Sequence, residues 1–139
     1  MKKKHKNLLT LGVIIAATIG FIWFVQNRPT VSAEVISRSG LHWHATLSII
    51  DGKKQVIPAN IGLGVVENPI HTHDTDGIIH LEFNGLVTSE ELKLGRFFEV
   101  WRKDFSKGKT VKMLVNGEEN NEFENYMMKN GDVIEIRYE

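Results

Sequence analysis

The stretch LHWHATLSII, Leu41–Ile50, alternates without a break as far as Ile49. Leu41, Trp43, Ala45, Leu47 and Ile49 fall on one face of an extended chain, and His42, His44, Thr46 and Ser48 fall on the other. A period of two held this long is the pattern of a half-buried strand, because successive side chains on a strand point to opposite sides. The two histidines therefore share the polar face. Downstream, Asp51-Gly52 supplies a turn and KKQVIPA returns as a partner strand, which predicts a hairpin.

The next segments continue in the same manner. NIGLGVVENP, with its glycines and Pro69, reads as loop, and Asp76-Gly77 reads as another turn. IIHLEF, Ile78–Phe83, alternates again, with Ile79, Leu81 and Phe83 opposite His80 and Glu82. TSEELKLGRFFEVWRKDF is the one helical segment of this half. Thr88 and Glu91 have capping-box spacing, and Leu94, Phe97, Phe98, Trp101 and Phe105 recur at helical intervals. Gly95 argues against a single unbroken helix, since glycine costs about 1 kcal/mol there relative to alanine. TVKMLV, an Asn116-Gly117 turn, a polar segment, Asn130-Gly131-Asp132 and VIEIRY complete the chain as two more strands. Hairpin, helix, strand and terminal strand is the order of a β-grasp-like α+β domain with a small mixed sheet, and a small β-barrel or sandwich is the alternative.

The amino end is different in kind. MKKKHKN carries four lysines, and Leu8–Val25 follows as 18 residues without a charge. At about 1.5 Å per residue such a helix would cover roughly 27 Å, near the hydrocarbon thickness of a bilayer. The sequence thus predicts a single-pass anchor through Leu8–Val25, with residues 1–7 cytoplasmic, 26–39 a tether and 40–139 an extracytoplasmic domain. Cleavage near Ala33, after Val31-Ser32, and secretion is the alternative. From residue 34 onward there are 12 basic and 17 acidic residues, a balance that argues against nucleic acid as partner and suits cations. No cysteine is present, so thiolate zinc sites, iron-sulfur clusters and blue-copper centres are excluded.

Chemistry concentrates in IHTHDTDGIIHLEF, Ile70–Phe83. Of six histidines in the chain, five (His42, His44, His71, His73 and His80) lie between residues 42 and 80. A single imidazole is more often a hydrogen-bonded structural group than a ligand. Five in so short a span, twice as His-x-His and off the apolar phase, point to a metal. Ligands at i and i+2 on a strand stand about 6.6 Å apart at Cα, a spacing from which two rings can converge on one ion. Asp74 and Glu82 can ligate or can accept the second N–H of a ligating ring, whereas Asp76 also serves its turn. Imidazole with carboxylate suits copper(II) and zinc, while calcium takes oxygen ligands only.

The words HWH, IPANIGL, HTHDTDGIIHLEF and LGRFFEVW, in this order behind the apolar segment, resemble a family of exported, His-rich bacterial and archaeal proteins. The resemblance runs from about residue 41 to the end. It implies an architecture and a grouped histidine set without assigning an activity, and Arg102 stands where members often carry glycine. Three functions follow as expectations. The first is a membrane-anchored protein that captures, buffers or transfers copper(II) or zinc. A metal-dependent enzyme, a cupin-like oxygenase or a hydrolase, is the second, although five histidines exceed the three ligands a catalytic ion usually takes, which tilts the reading away from catalysis. A binding module whose histidines sense pH is the third.

Overall fold

The computed structural model describes residues 2–26 and 33–139, with the side chains of the first helix described from Val13 onward. The chain forms two compact units, residues 1–32 and 33–139. The first contains helix α1, Lys2–Gln26. Among the described residues no helix is long and apolar enough to cross a membrane. The expected anchor through Leu8–Val25 is corrected accordingly, and with it the single-pass localisation that placed an extracytoplasmic domain behind it. Val31 and Ser32 of the expected cleavage site, and residues 27–32 of the expected tether, lie outside the described residues.

The second unit is a mixed α+β fold. In chain order it comprises β1 (Val35–Ser37), β2 (Leu41–Asp51), β3 (Lys53–Gln55), β4 (Ile70–His71), β5 (Ile78–Phe83), β6 (Val87–Thr88), α2 (Leu94–Trp101), β7 (Val111–Val115), β8 (Glu118–Glu119), a 3-10 turn (Phe123–Asn125) and β9 (Val133–Tyr138). The main sheet is open and ordered β4-β5-β2-β9-β7-β8, with β3 attached to the end of β2. The β2 and β9 strands run parallel at its centre, and the other pairs are antiparallel. Residues 35–37 of the expected tether are already part of the fold, because β1 pairs with β6.

The alternation read from Leu41 onward has a direct physical outcome. Ala45, Leu47 and Ile49 of β2, Ile79 and Leu81 of β5, and Ile134 and Ile136 of β9 are all buried, and they meet Leu94, Phe97 and Phe98 of α2 in one core. The hairpin differs from expectation. Residues 53–55 pair with only three residues of β2, and its long partner is β5, joined through Ile78–Phe83. The Asp76-Gly77 turn makes that return possible. Gly77 sits at φ +85°, its carbonyl accepts the Leu47 N–H at 2.8 Å, and a Cβ there would strike the Leu47 carbonyl oxygen.

The helix is shorter than its sequence pattern. Thr88 and Glu91 do interact, with the Thr88 N–H and hydroxyl donating to Glu91 Oε2 at 2.8 and 3.0 Å, yet Thr88 lies in β6 and the helix begins at Leu94. Strand pairing with β1 removes Thr88 from any helical conformation, so the local capping signal closes a turn instead. Gly95 has a tertiary reason: a Cβ there would sit 3.0 Å from the carbonyl oxygen of Glu124, in the 3-10 turn packed against the start of α2. The helix stops at Arg102, which adopts the left-handed conformation at φ 56°, ψ 41°. An L-residue pays roughly 1 kcal/mol there and glycine pays nothing. Arg102→Gly is expected to raise stability by about 0.5–1 kcal/mol in urea denaturation, because Arg102 is exposed and only its backbone is strained.

Candidate metal centre

Three neighbouring strands assemble the site. In the register of β2 and β5, His42 lies opposite Glu82 and His44 opposite His80, and in that of β4 and β5, His71 lies opposite His80. Residues directly opposite each other share a face, so His44, His80 and His71 form one row across the sheet, with His42 and Glu82 as the next row. This is the face opposite the apolar core. The central ring is His80, whose centroid lies 4.6 Å from that of His44, 4.5 Å from His73 and 5.2 Å from His71, the last stacked within 8° of parallel.

Each His-x-His pair closes on itself. The Nε2 atoms of His42 and His44 are 3.1 Å apart, and those of His71 and His73 are 3.2 Å apart. Two nitrogens bound to one ion at about 2.0–2.1 Å would be separated by roughly 2.9 Å at a right angle and 3.3 Å at a tetrahedral angle. Both pairs fall within that interval. Glu82 Oε1 stands 3.4 Å from His42 Nε2 and 3.4 Å from His80 Nδ1, which places a carboxylate between two strands' histidines. Two sets of donors, His42/His44/His80/Glu82 and His71/His73/His80/Glu82, each bring their ligand atoms within 4.8 Å of one another and are close enough to hold a metal ion.

The local sequence explains how two histidines separated by one residue can face the same way. Between His71 and His73, Thr72 is fully buried and clamped to the loop before it. Its hydroxyl donates to the Pro58 carbonyl (2.9 Å) and accepts the Ile61 N–H (3.1 Å), while its N–H donates to the Ile61 carbonyl (3.0 Å). His71 is itself fully buried, and its Nδ1 lies 2.9 Å from the Asn68 carbonyl oxygen. That contact fits an Nδ1–H donor and leaves the Nε2 lone pair aimed at the site, the usual way a backbone carbonyl fixes the tautomer of a ligating ring. On β2, the Asn130 side chain accepts the His44 N–H at 3.0 Å and so extends the β2–β9 junction up to the histidine.

His80 Nδ1 is buried and has no well-aligned hydrogen-bond partner among the described residues; Glu82 Oε1, 3.4 Å away, is near enough to attract a charge but lies outside bonding geometry. Burial holds the His80 imidazole below its ordinary pKa, His44, His73 and His71 press in the same direction, and Glu82 opposes them. The ring is therefore neutral at neutral pH, the form that offers a lone pair to a cation. A buried polar atom without a partner costs about 1–3 kcal/mol, and a metal bond would supply the missing partner.

Of the residues anticipated from sequence, the structure gathers His42, His44, His71, His73, His80 and Glu82. Asp74 is exposed and belongs to neither donor set. Asp76 accepts the Ile78 N–H at 2.9 Å and serves the turn. Sequence reasoning missed Glu67, whose Oε1 stands 3.4 Å from His71 Nε2, because it sits in an irregular loop with no period to phase it. Thr72, Asn68 and Asn130 were missed for the same reason, as their roles depend on contacts with other segments. Comparison of the chain with protein-family models, curated proteins and solved structures gave no match.

Proposed function

We propose that this protein binds copper(II) or zinc through the histidine cluster and captures, buffers or passes on the ion. The observation that carries the reading is the spacing of the Nε2 pairs, 3.1 and 3.2 Å, in two separate His-x-His units grouped around a half-buried His80 whose buried Nδ1 lacks a hydrogen-bond partner among the described residues. The donor chemistry supports these ions in particular. Imidazole nitrogen with one or two carboxylates is the borderline set that copper(II) and zinc favour, and no thiolate is available to draw copper(I). The exposure of His42 supports exchange with a second carrier or with free ions rather than a sealed structural role.

Thermal unfolding with and without metal tests this. Zinc or copper(II) at about 100 times its dissociation constant should add about 2.7 kcal/mol, or roughly 10 °C in Tm for a domain of this size, and a chelator should reverse the gain. The reading fails if equilibrium dialysis finds no divalent transition ion bound more tightly than millimolar. A cleft of about 870 Å³ adjoining His42 and Glu82 supports a second reading, an ion with an open position acting on a bound substrate. Perturbation of the copper(II) spectrum by added azide would favour that alternative, since azide needs a vacant or water-filled position.

A further inference from the structure

We propose that the site is dinuclear: two divalent transition ions per chain, one on each His-x-His pair, with His80 and Glu82 common to both. This rests on the metal-binding reading above and goes one step beyond it. The six donors fall into two sets with mutual distances within 4.8 Å, and His42 and His44 are never in the same set as His71 and His73. Ligands of a single ion at about 2.1 Å cannot stand more than about 4.2 Å apart. One ion served by all five histidines would therefore need the rings of the two pairs to swing away from the positions they hold, since β2 with His42 and His44 and β4 with His71 flank β5 on opposite sides.

Each half has what an ion requires. On the β2 side, the His42 and His44 nitrogens face each other at 3.1 Å with Glu82 Oε1 3.4 Å from His42. On the β4 side, the His71 and His73 nitrogens face each other at 3.2 Å with Glu67 Oε1 3.4 Å from His71. His80 lies between them, and its ring can serve both ions through its two nitrogens as the imidazolate, the N–H proton passing to solvent as the second ion binds. A carboxylate on either side offsets the repulsion between two dications, which a purely neutral set of imidazoles would leave uncompensated.

The two positions are unequal. The His42 side chain is 62% exposed and borders the cleft, whereas the second pair joins an exposed His73 to a fully buried His71 that is held to the Asn68 carbonyl. The ion on the β2 side should exchange rapidly with chelators, and the one on the β4 side slowly.

The experiment uses the full chain titrated with zinc, with bound metal counted after gel filtration, and then copper(II) with electron paramagnetic resonance. Two zinc ions per chain are expected in the unsubstituted protein and one in the double variant H42A/H44A, which alters exposed or half-buried positions and leaves the core intact. The copper-loaded protein should show spin coupling between neighbouring ions, read as a broadened signal or as less intensity than the bound copper accounts for, and H42A/H44A should show an isolated copper signal. A single ion in the unsubstituted protein, with an uncoupled copper spectrum at saturation, would overturn the dinuclear assignment while leaving metal binding intact. No bound ion at all would remove both.

Discussion

Replacing His80 by leucine is expected to weaken metal binding by at least about 100-fold and, at the same time, to make the metal-free protein more stable by about 1 kcal/mol. The opposite signs are the point. Loss of a group merely supporting a ligand costs 10–100-fold in affinity, and His80 is a member of both donor sets, so its removal should reach or exceed the upper end. Yet in the metal-free fold the same ring holds a buried Nδ1 without a hydrogen bond, a cost of about 1–3 kcal/mol that a leucine of similar volume does not carry. A histidine kept for structure would behave the other way, its loss destabilising the protein with metal affinity untouched. Calorimetric titration and urea denaturation on the same variant separate the two.

The pH dependence gives a third reading of that variant. Because His80 is held below its ordinary pKa in the folded protein, the unfolded chain takes up this proton first as pH falls. The stability this group contributes is full above the ordinary histidine range and is lost as pH drops through the folded value. Metal-free protein should therefore weaken on acidification from neutrality, and His80→Leu should flatten that decline. A denaturation midpoint with the same pH slope in both proteins would refute the assignment.

The largest loss of stability is expected from Phe97→Ala, at about 3–5 kcal/mol in denaturant unfolding. Phe97 is fully buried in the core, with its ring 5.9 Å from that of Phe98 and 5.7 Å from that of Trp101. Removing it opens a cavity beneath the sheet that α2, anchored by only two turns of helix, cannot easily collapse into. Trp101 carries the larger ring and from sequence alone would be the stronger choice, but it is only partly buried, and Lys103 covers its ring at 4.3 Å. Trp101→Ala should cost less than Phe97→Ala, and a reversed order would mean that the core is centred elsewhere.

Alternation decided much of this protein before any tertiary contact is considered. Leu41–Ile49 and Ile79–Phe83 each carry their apolar residues on one phase and their histidines on the other, and strand geometry then leaves no choice about which side faces the core. That is why His42, His44, His80 and Glu82 were legible as co-facial pairs, and why an α+β fold with one main helix in this half could be read from periods of two and of three to four, although the helix itself is shorter than that pattern. The absence of cysteine likewise limited any ligand set to nitrogen and oxygen.

Only the tertiary structure decided which strand pairs with which. Residues 53–59 carry a hairpin signal as clear as that of β5, yet β5 takes the long edge of β2 because its Ile79 and Leu81 continue the buried face, whereas Lys53 and Lys54 have nothing to bury. That choice sets His80 opposite both His44 and His71 and so makes it the centre of the cluster. The loop partners of the site, Glu67, Asn68 and Thr72, had no period to betray them, since an irregular segment acquires its orientation from what it packs against. Thr88 and Glu91 made their predicted contact without starting a helix, because pairing between β1 and β6 outweighs a local cap worth about 1 kcal/mol. Local pattern fixes the face a side chain points to, and long-range pairing fixes what it meets there.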